Sequence, residues 1–199
     1  GGRTYFSQND QWRLEGFGAY GFKDDRFKFG LSAKVLLNRK NRLTLYSGYR
    51  KDVEQTAASL SSSNDILGRN LASSSLIAVG ANDKLTRVKL ATIGVSLEPI
   101  KNLNIRLTGS YRSLSSATDT FSIDYLKEDG TIGSDVQQPE IRLLTFFTPK
   151  RKVSGYGVER TIINQGSFPS IFLGYTYGIR GLLGGDFEYQ RIQGLYTQP

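Results

Sequence analysis

Four stretches of the chain alternate apolar and polar residues for longer than an ordinary strand. The clearest places Phe27, Phe29, Leu31, Ala33, Val35 and Leu37 on one parity, with Lys28, Gly30, Ser32, Lys34 and Leu36 between them. A second sets Leu103, Ile105, Leu107, Gly109 and Tyr111 against Asn104, Arg106, Thr108, Ser110 and Arg112. A third sets Ile171, Leu173, Tyr175, Tyr177 and Ile179 against Phe172, Gly174, Thr176, Gly178 and Arg180. The weakest runs through Trp12, Leu14, Gly16, Gly18, Tyr20 and Phe22. Successive side chains on a strand point to opposite faces, so each stretch has one apolar and one polar face. A tilted strand needs roughly 9–11 residues to cross a bilayer core, whereas strands average about 5–6. Aromatics on the apolar face and Lys or Arg on the other predict an outer-membrane barrel.

The pattern predicts an all-β antiparallel meander of about ten strands, with ends placed to roughly 2–4 residues. They span 3–7, 12–22, 26–37, 42–50, 85–97, 103–112, 141–148, 153–163, 170–180 and 185–193. Many glycines fall inside these spans, which suits a bending sheet. The turns at 38–41, 98–102, 149–152 and 181–184 are short, and strict alternation puts all four at one end. The long segments 51–84 and 113–140 then fall at the other end, with the short links 23–25 and 164–169. Outer-membrane barrels pair short periplasmic turns with longer external loops, so 51–84 and 113–140 are expected outside. The Ser- and Ala-rich 51–84 segment reads either as an open external loop or as a plug anchored by Ile66, Leu67, Leu71, Leu76 and Ile77. Within 113–140, Glu128-Asp129-Gly130 predicts a small hairpin joining 121–127 to 131–136.

Composition narrows the chemistry. The 199 residues suffice for one domain. There is no Cys, His or Met. Disulfides, thiolate metal sites and Ser-His-Asp or Cys-His catalysis are therefore excluded within the chain. Residue 1 is not Met and no signal-peptide pattern opens the chain, so a processed product or a segment of a longer protein is expected. Mean hydropathy is −0.34; a barrel with a wet interior gives only a weak signal per segment.

Net charge is +8. Lys and Arg are spread along strands and turns, with no nucleic-acid-binding motif, so nucleic acid is not an expected partner. Gly16-Phe17-Gly18-Ala19-Tyr20-Gly21 matches the dinucleotide pattern GxGxxG, but lies inside an alternating strand and not at a strand-to-helix turn. The carboxylate pairs Asp24/Asp25, Asp52/Glu54, Glu128/Asp129 and Asp186/Glu188 are read as solvated turns and salt bridges. No metal-ligand spacing occurs. Aromatics gather toward strand ends, as interfacial girdles do, although a soluble β core favours them too.

The stretch Ser167-Phe168-Pro169-Ser170 through Tyr175-Thr176-Tyr177-Gly178-Ile179-Arg180-Gly181, then Leu183-Gly184-Gly185-Asp186-Phe187-Glu188-Tyr189, is the most recognisable. It resembles a Bacteroidetes-type outer-membrane β-barrel family, a domain of unknown function commonly found C-terminal to a carboxypeptidase-regulatory-like domain. Phe187 stands at a usual Tyr, and Ser170 at a usual apolar residue. Trp12-Arg13-Leu14-Glu15-Gly16, Tyr20-Gly21-Phe22-Lys23-Asp24 and Phe27-Lys28-Phe29-Gly30 are also similar to that family. The resemblance implies an outer-membrane location in a Gram-negative cell, and parts of the protein before and after this chain. It transfers no catalytic residue.

Residues 1–199 are thus expected to form a single segment of an incomplete transmembrane β-barrel, contacting outer-membrane lipid and lacking cofactor and enzymatic activity. The role is structural, transport or surface binding. Lys28, Lys34, Arg106, Arg112, Arg142 and Arg180 are the expected lumen-lining residues, suited to an anionic solute or a surface ligand. The alternative is a soluble or periplasmic β-sheet domain that binds a glycan or a protein.

Overall fold

In the computed structural model, residues 1–198 are described, apart from 8, 23–25, 56–84, 119–120, 128–129 and 165–167. Strands are β1 (Gly2–Arg3), β2 (Trp12–Gly21), β3 (Arg26–Asn38), β4 (Leu43–Gln55), β5 (Leu85–Ile100), β6 (Leu103–Ser116), β7 (Tyr125–Leu126), β8 (Ile132–Gly133), β9 (Val136–Phe147), β10 (Val153–Ser154), β11 (Thr161–Ile162), β12 (Ser170–Gly178) and β13 (Tyr189–Thr197). Nine of them form one sheet in the order β1-β2-β3-β4-β5-β6-β9-β12-β13. Every pairing is antiparallel. The described residues contain no α-helix, and the sheet is open, with β1 and β13 each paired on one side only.

The all-β meander is therefore as expected, but its strand list differs from the sequence reading. Residues 153–163 do not form a sheet strand. They form the two-residue hairpin β10–β11, with Gly155 at φ 102 between its arms. Residues 148–169 thus make one connection from β9 to β12, and the parity shifts. The 181–184 turn lies at the end where β4 closes and β5 opens, and β12 opens at the end of the short turns.

Strand β9 begins at Val136, earlier than expected, despite Pro139. The Pro139 carbonyl accepts from Ile179 N–H at 3.0 Å. In an antiparallel strand a residue's N and O face the same neighbour, so the missing donor faces the side where the β12 ladder has already ended at Gly178. Strands β4 and β6 also run past the expected ends, to Gln55 and Ser116. The expected hairpin within 113–140 is present in shorter form as β7–β8, with Gly130 at φ 79 in its turn. The plug reading of 51–84 falls mostly outside the described residues, because only 51–55, the end of β4, are described.

The two faces of the sheet are distinct. Leu31, Ile93 and Leu173 are 59%, 61% and 55% exposed. Facing the other way, Arg50 and Thr176 are 0% and 1% exposed. Aromatics meet at both ends of the apolar face. Phe6 packs on Trp12 at the short-turn end, and Phe27, Phe29 and Tyr49 form a chain at the other, with centroid distances of 5.5 to 5.9 Å. Tyr46 instead turns to the polar face, where it is 5% exposed.

Candidate polar-face site

Two regions divide the polar face. In the half toward the long connections, Arg50 and Glu54 of β4 form a buried ion pair, and Asp52 lies 3.7 Å from Arg50. Arg112 of β6 is held electrostatically by Glu140 and Glu54. Arg142 lies 3.8 Å from Glu140, which also accepts the Tyr189 hydroxyl from β13. Three guanidinium groups thus face three carboxylates across β4, β6 and β9. Buried charges persist only when paired in this way.

Two glycines let tyrosines reach across this face. A Cβ on Gly94 would lie 2.5 Å from both the Leu107 carbonyl and the Tyr46 hydroxyl, so no side chain fits there. Tyr46 passes over β5 at that gap and meets the Thr108 hydroxyl of β6 at 2.5 Å. Gly178 gives Tyr189 the same passage over β12 to Glu140.

At the short-turn end, the 148–164 segment folds over the polar face as a cap. Arg42 donates to the Gly157 and Val158 carbonyls at 3.0 and 3.1 Å. Glu98 accepts from Arg160 and from the Asn102 N–H, and lies 3.6 Å from Arg42. Asn102 donates to the Arg151 carbonyl at 2.9 Å. Val158 N–H donates to the Asp10 carbonyl at 2.7 Å, and Tyr156 N–H to Asn9 Oδ1 at 2.8 Å. Glu159 closes the far side against Lys34 and Arg3, at 3.4 and 3.5 Å. The anchors sit where the backbone turns sharply: Arg42 and Asn102 are left-handed, at φ 52 and 66. Such conformations cost energy for a side chain like Arg and persist only where the surroundings hold them. Glu98 precedes Pro99 at the irregularity between Leu97 and Ile100, a usual place for proline in a sheet.

Between cap and sheet lies a cavity of about 400 Å³. Its basic lining is Lys34, Arg42, Arg106, Arg151 and Arg160, and its one acidic lining residue is Glu98. Arg106 stacks over the Tyr46 and Phe146 rings, 5.5 and 5.9 Å from their centroids. Burial, and then the charge of Arg160, push the Arg42 guanidinium below its ordinary value, while Glu98 pulls it back. It stays charged at neutral pH.

The six residues singled out from the sequence are distributed unevenly. Lys28, Lys34, Arg106, Arg112 and Arg142 occupy polar-face positions on β3, β6 and β9. Of these, Lys34 and Arg106 line the cavity, and Arg112 and Arg142 belong to the charge network. Arg180 lies beyond the end of β12, exposed, beside a groove with Tyr125, Lys127, Asp186 and Glu188. There burial and the Asp186 carboxylate push the Tyr125 phenol up to about 12. The sequence reading missed Arg42, Glu98, Arg151 and Arg160, because turn and cap residues carry no periodic signal.

The carboxylate pairs in the described residues all have partners that favour structure. Asp52 and Glu54 face Arg50. Asp186 accepts the Gln137 N–H at 2.6 Å and Glu188 the Tyr177 hydroxyl at 2.8 Å, and both precede β13. The pairs Asp24/Asp25 and Glu128/Asp129 lie outside the described residues. The GxGxxG stretch lies within β2, away from any helix N-terminus. Among the described residues, no group of three His, Cys, Asp or Glu side chains could hold a metal ion.

Fold and site together define an open antiparallel meander whose polar face is the buried one. The chain belongs to the family of unknown function DUF5686, matching its C-terminal domain over residues 2–198. No curated protein and no solved structure matches it.

Proposed function

We propose that this chain is a segment of a non-enzymatic outer-membrane β-barrel in a Gram-negative cell, with its apolar face toward lipid and its cationic polar face toward a lumen. The role is structural, transport or capture of an anionic solute at the surface. The observation that carries the reading is the inverted burial of the sheet. Leucine and isoleucine stand exposed along strands of 9 to 16 residues, while arginine, glutamate and threonine opposite them are buried. In water this arrangement leaves a contiguous apolar surface uncovered, which soluble monomers avoid. Against lipid it matches transmembrane barrels, whose strands alternate apolar-out and polar-in. The aromatic groups at both ends of the apolar face fit the two membrane interfaces. Backbone groups at an open edge in hydrocarbon have no partner, so the reading requires the edges β1 and β13 to be paired in the whole protein.

The test expresses the protein from its complete natural gene. Recovery in the outer-membrane fraction, with a band that shifts on boiling, is the expected result. Recovery as a soluble protein with no shift would reject the reading and favour a soluble or periplasmic domain that binds a glycan or a protein.

A further inference from the structure

The charge network and the cap cavity share a face but differ in charge balance. Around Arg50, Arg112 and Arg142, carboxylates match guanidinium groups one for one. In the cavity they do not. Five cations line it: Lys34, Arg42, Arg106, Arg151 and Arg160; Arg106 keeps its charge while its guanidinium carbon sits over the Tyr46 and Phe146 rings. Against them stand two carboxylates, Glu98 in the lining and Glu159 on Lys34, which leaves a charge of +3. The Arg151 Nε is buried with no hydrogen-bond partner, as are those of Arg50, Arg112 and Arg142 in the network, so the charge balance is what sets the cavity apart. Arginine clusters of this kind suit phosphate, whose oxygens accept paired N–H donors. A volume of about 400 Å³ exceeds a bare phosphate and falls within the roughly 300–1,000 Å³ of small-molecule sites. Phe146, Val153, Val158 and Ile162 supply an apolar wall for the rest of such a ligand.

We propose that the cavity between the 148–164 cap and the sheet binds an organic phosphate monoester, its dianion held by Arg42, Arg106, Arg151 and Arg160. The proposal rests on the anion-accepting polar face of the reading above and gives it a site and a ligand class. The Arg151 side chain is the most informative handle, because the contact from Asn102 goes to its backbone carbonyl. That contact does not depend on the guanidinium.

The experiment is calorimetric titration of the purified full-length protein with phenyl phosphate at pH 7.5, where the monoester is mostly a dianion. Four proteins are compared: wild type, Arg151→Gln, Arg106→Gln, and Lys101→Gln as a charge control at an exposed turn of the same end. Saturable binding at one site is expected for wild type and Lys101→Gln, with at least a tenfold loss in both arginine variants. Each preparation is first checked for its unboiled gel band, so a misfolded variant is recognised before titration. Absence of saturable binding to wild type, or equal weakening by Lys101→Gln, would overturn the proposal. Micelles carrying phosphatidic acid are then added as competitor. Displacement assigns the phosphate to a lipid headgroup and its absence to a free solute, and either keeps the site. Membrane fractionation of the same preparation reports on the barrel reading separately, so the two can fail independently.

Discussion

The two faces of this sheet carry opposite side chains and opposite exposures. Leu31, Ile93 and Leu173 stand in the open on one, while Arg50, Glu140 and Thr176 are closed off on the other. Folding in water normally sorts residues the other way, since burying apolar area stabilises by about 25 cal/mol per Å² and burying an unpaired charge costs far more. The difference teaches that charge pairing and tyrosine crossings hold the polar face, whereas the apolar face is finished by whatever medium covers it. Each face can therefore be attacked separately.

The largest effect is expected on the polar face. Arg50→Ala would strand Glu54 and Asp52 beside each other without their cation. Breaking a buried pair in this way costs about 3–5 kcal/mol, read as a lower urea midpoint for loss of the unboiled band. An unchanged midpoint would mean that the network is solvated and contributes little. On the apolar face, Leu173→Arg separates the two readings of the medium. Facing lipid at mid-strand, it should cost about 2–4 kcal/mol, measured as unfolding in bilayers. Facing water, a surface change of this kind stays within about 0.5 kcal/mol.

Smaller effects test the packing detail. Gly94→Val would place a side chain where Tyr46 crosses β5, and overpacking of this kind typically costs about 1–3 kcal/mol. Tyr46→Phe in the same background should add little further loss, because its hydroxyl bond to Thr108 is already broken. A full additive loss in the double variant would refute the crossing.

The mildest prediction concerns the cap's contact with the chain before β2. Hydrogen bonds from the backbone N–H of Ser7 and of Phe6, both 2.9 Å, hold the Asp10 carboxyl below its ordinary value of 3.8. A folded value below the unfolded one stabilises the turn above about pH 3.8. That stability is lost as pH falls through the folded value. Amide exchange at Phe6 and Ser7, corrected for intrinsic rate, should therefore speed up below pH 3.8 in wild type. It should be flat with pH in Asp10→Asn.

The parts of the fold legible in the sequence are those where one period dominates. Alternation along β3, β6 and β12 placed these strands within two residues or so at most ends, because one face is uniformly apolar. Charged stretches read as loops, so Lys51-Asp52-Val53-Glu54 is expected outside β4, although Asp52 and Glu54 share the parity of Arg50 and face inward with it. Pro139 hid the start of β9 in the same way. The cap at 153–163 reads as a strand because Val153, Val158, Ile162 and Ile163 are β-formers. Arg42 captures the Gly157 and Val158 carbonyls, and Asp10 the Val158 N–H, which takes those groups out of any sheet ladder. Such long-range capture leaves no local pattern, and the cavity it creates was legible only in Lys34 and Arg106.

This chain holds no cysteine, so the orientation of its sheet can be measured residue by residue once any cysteine elsewhere in the full-length protein is replaced. Single cysteines placed in turn at 27 through 37 of β3, spin-labelled in the full-length protein in bilayers, would report collision with oxygen and with a water-soluble nickel complex. A period of two is expected: labels at 27, 29, 31, 33, 35 and 37 meet oxygen from the lipid, and those between them do not. Equal exposure of the 31 and 35 labels to the aqueous reagent would contradict a lipid-facing sheet.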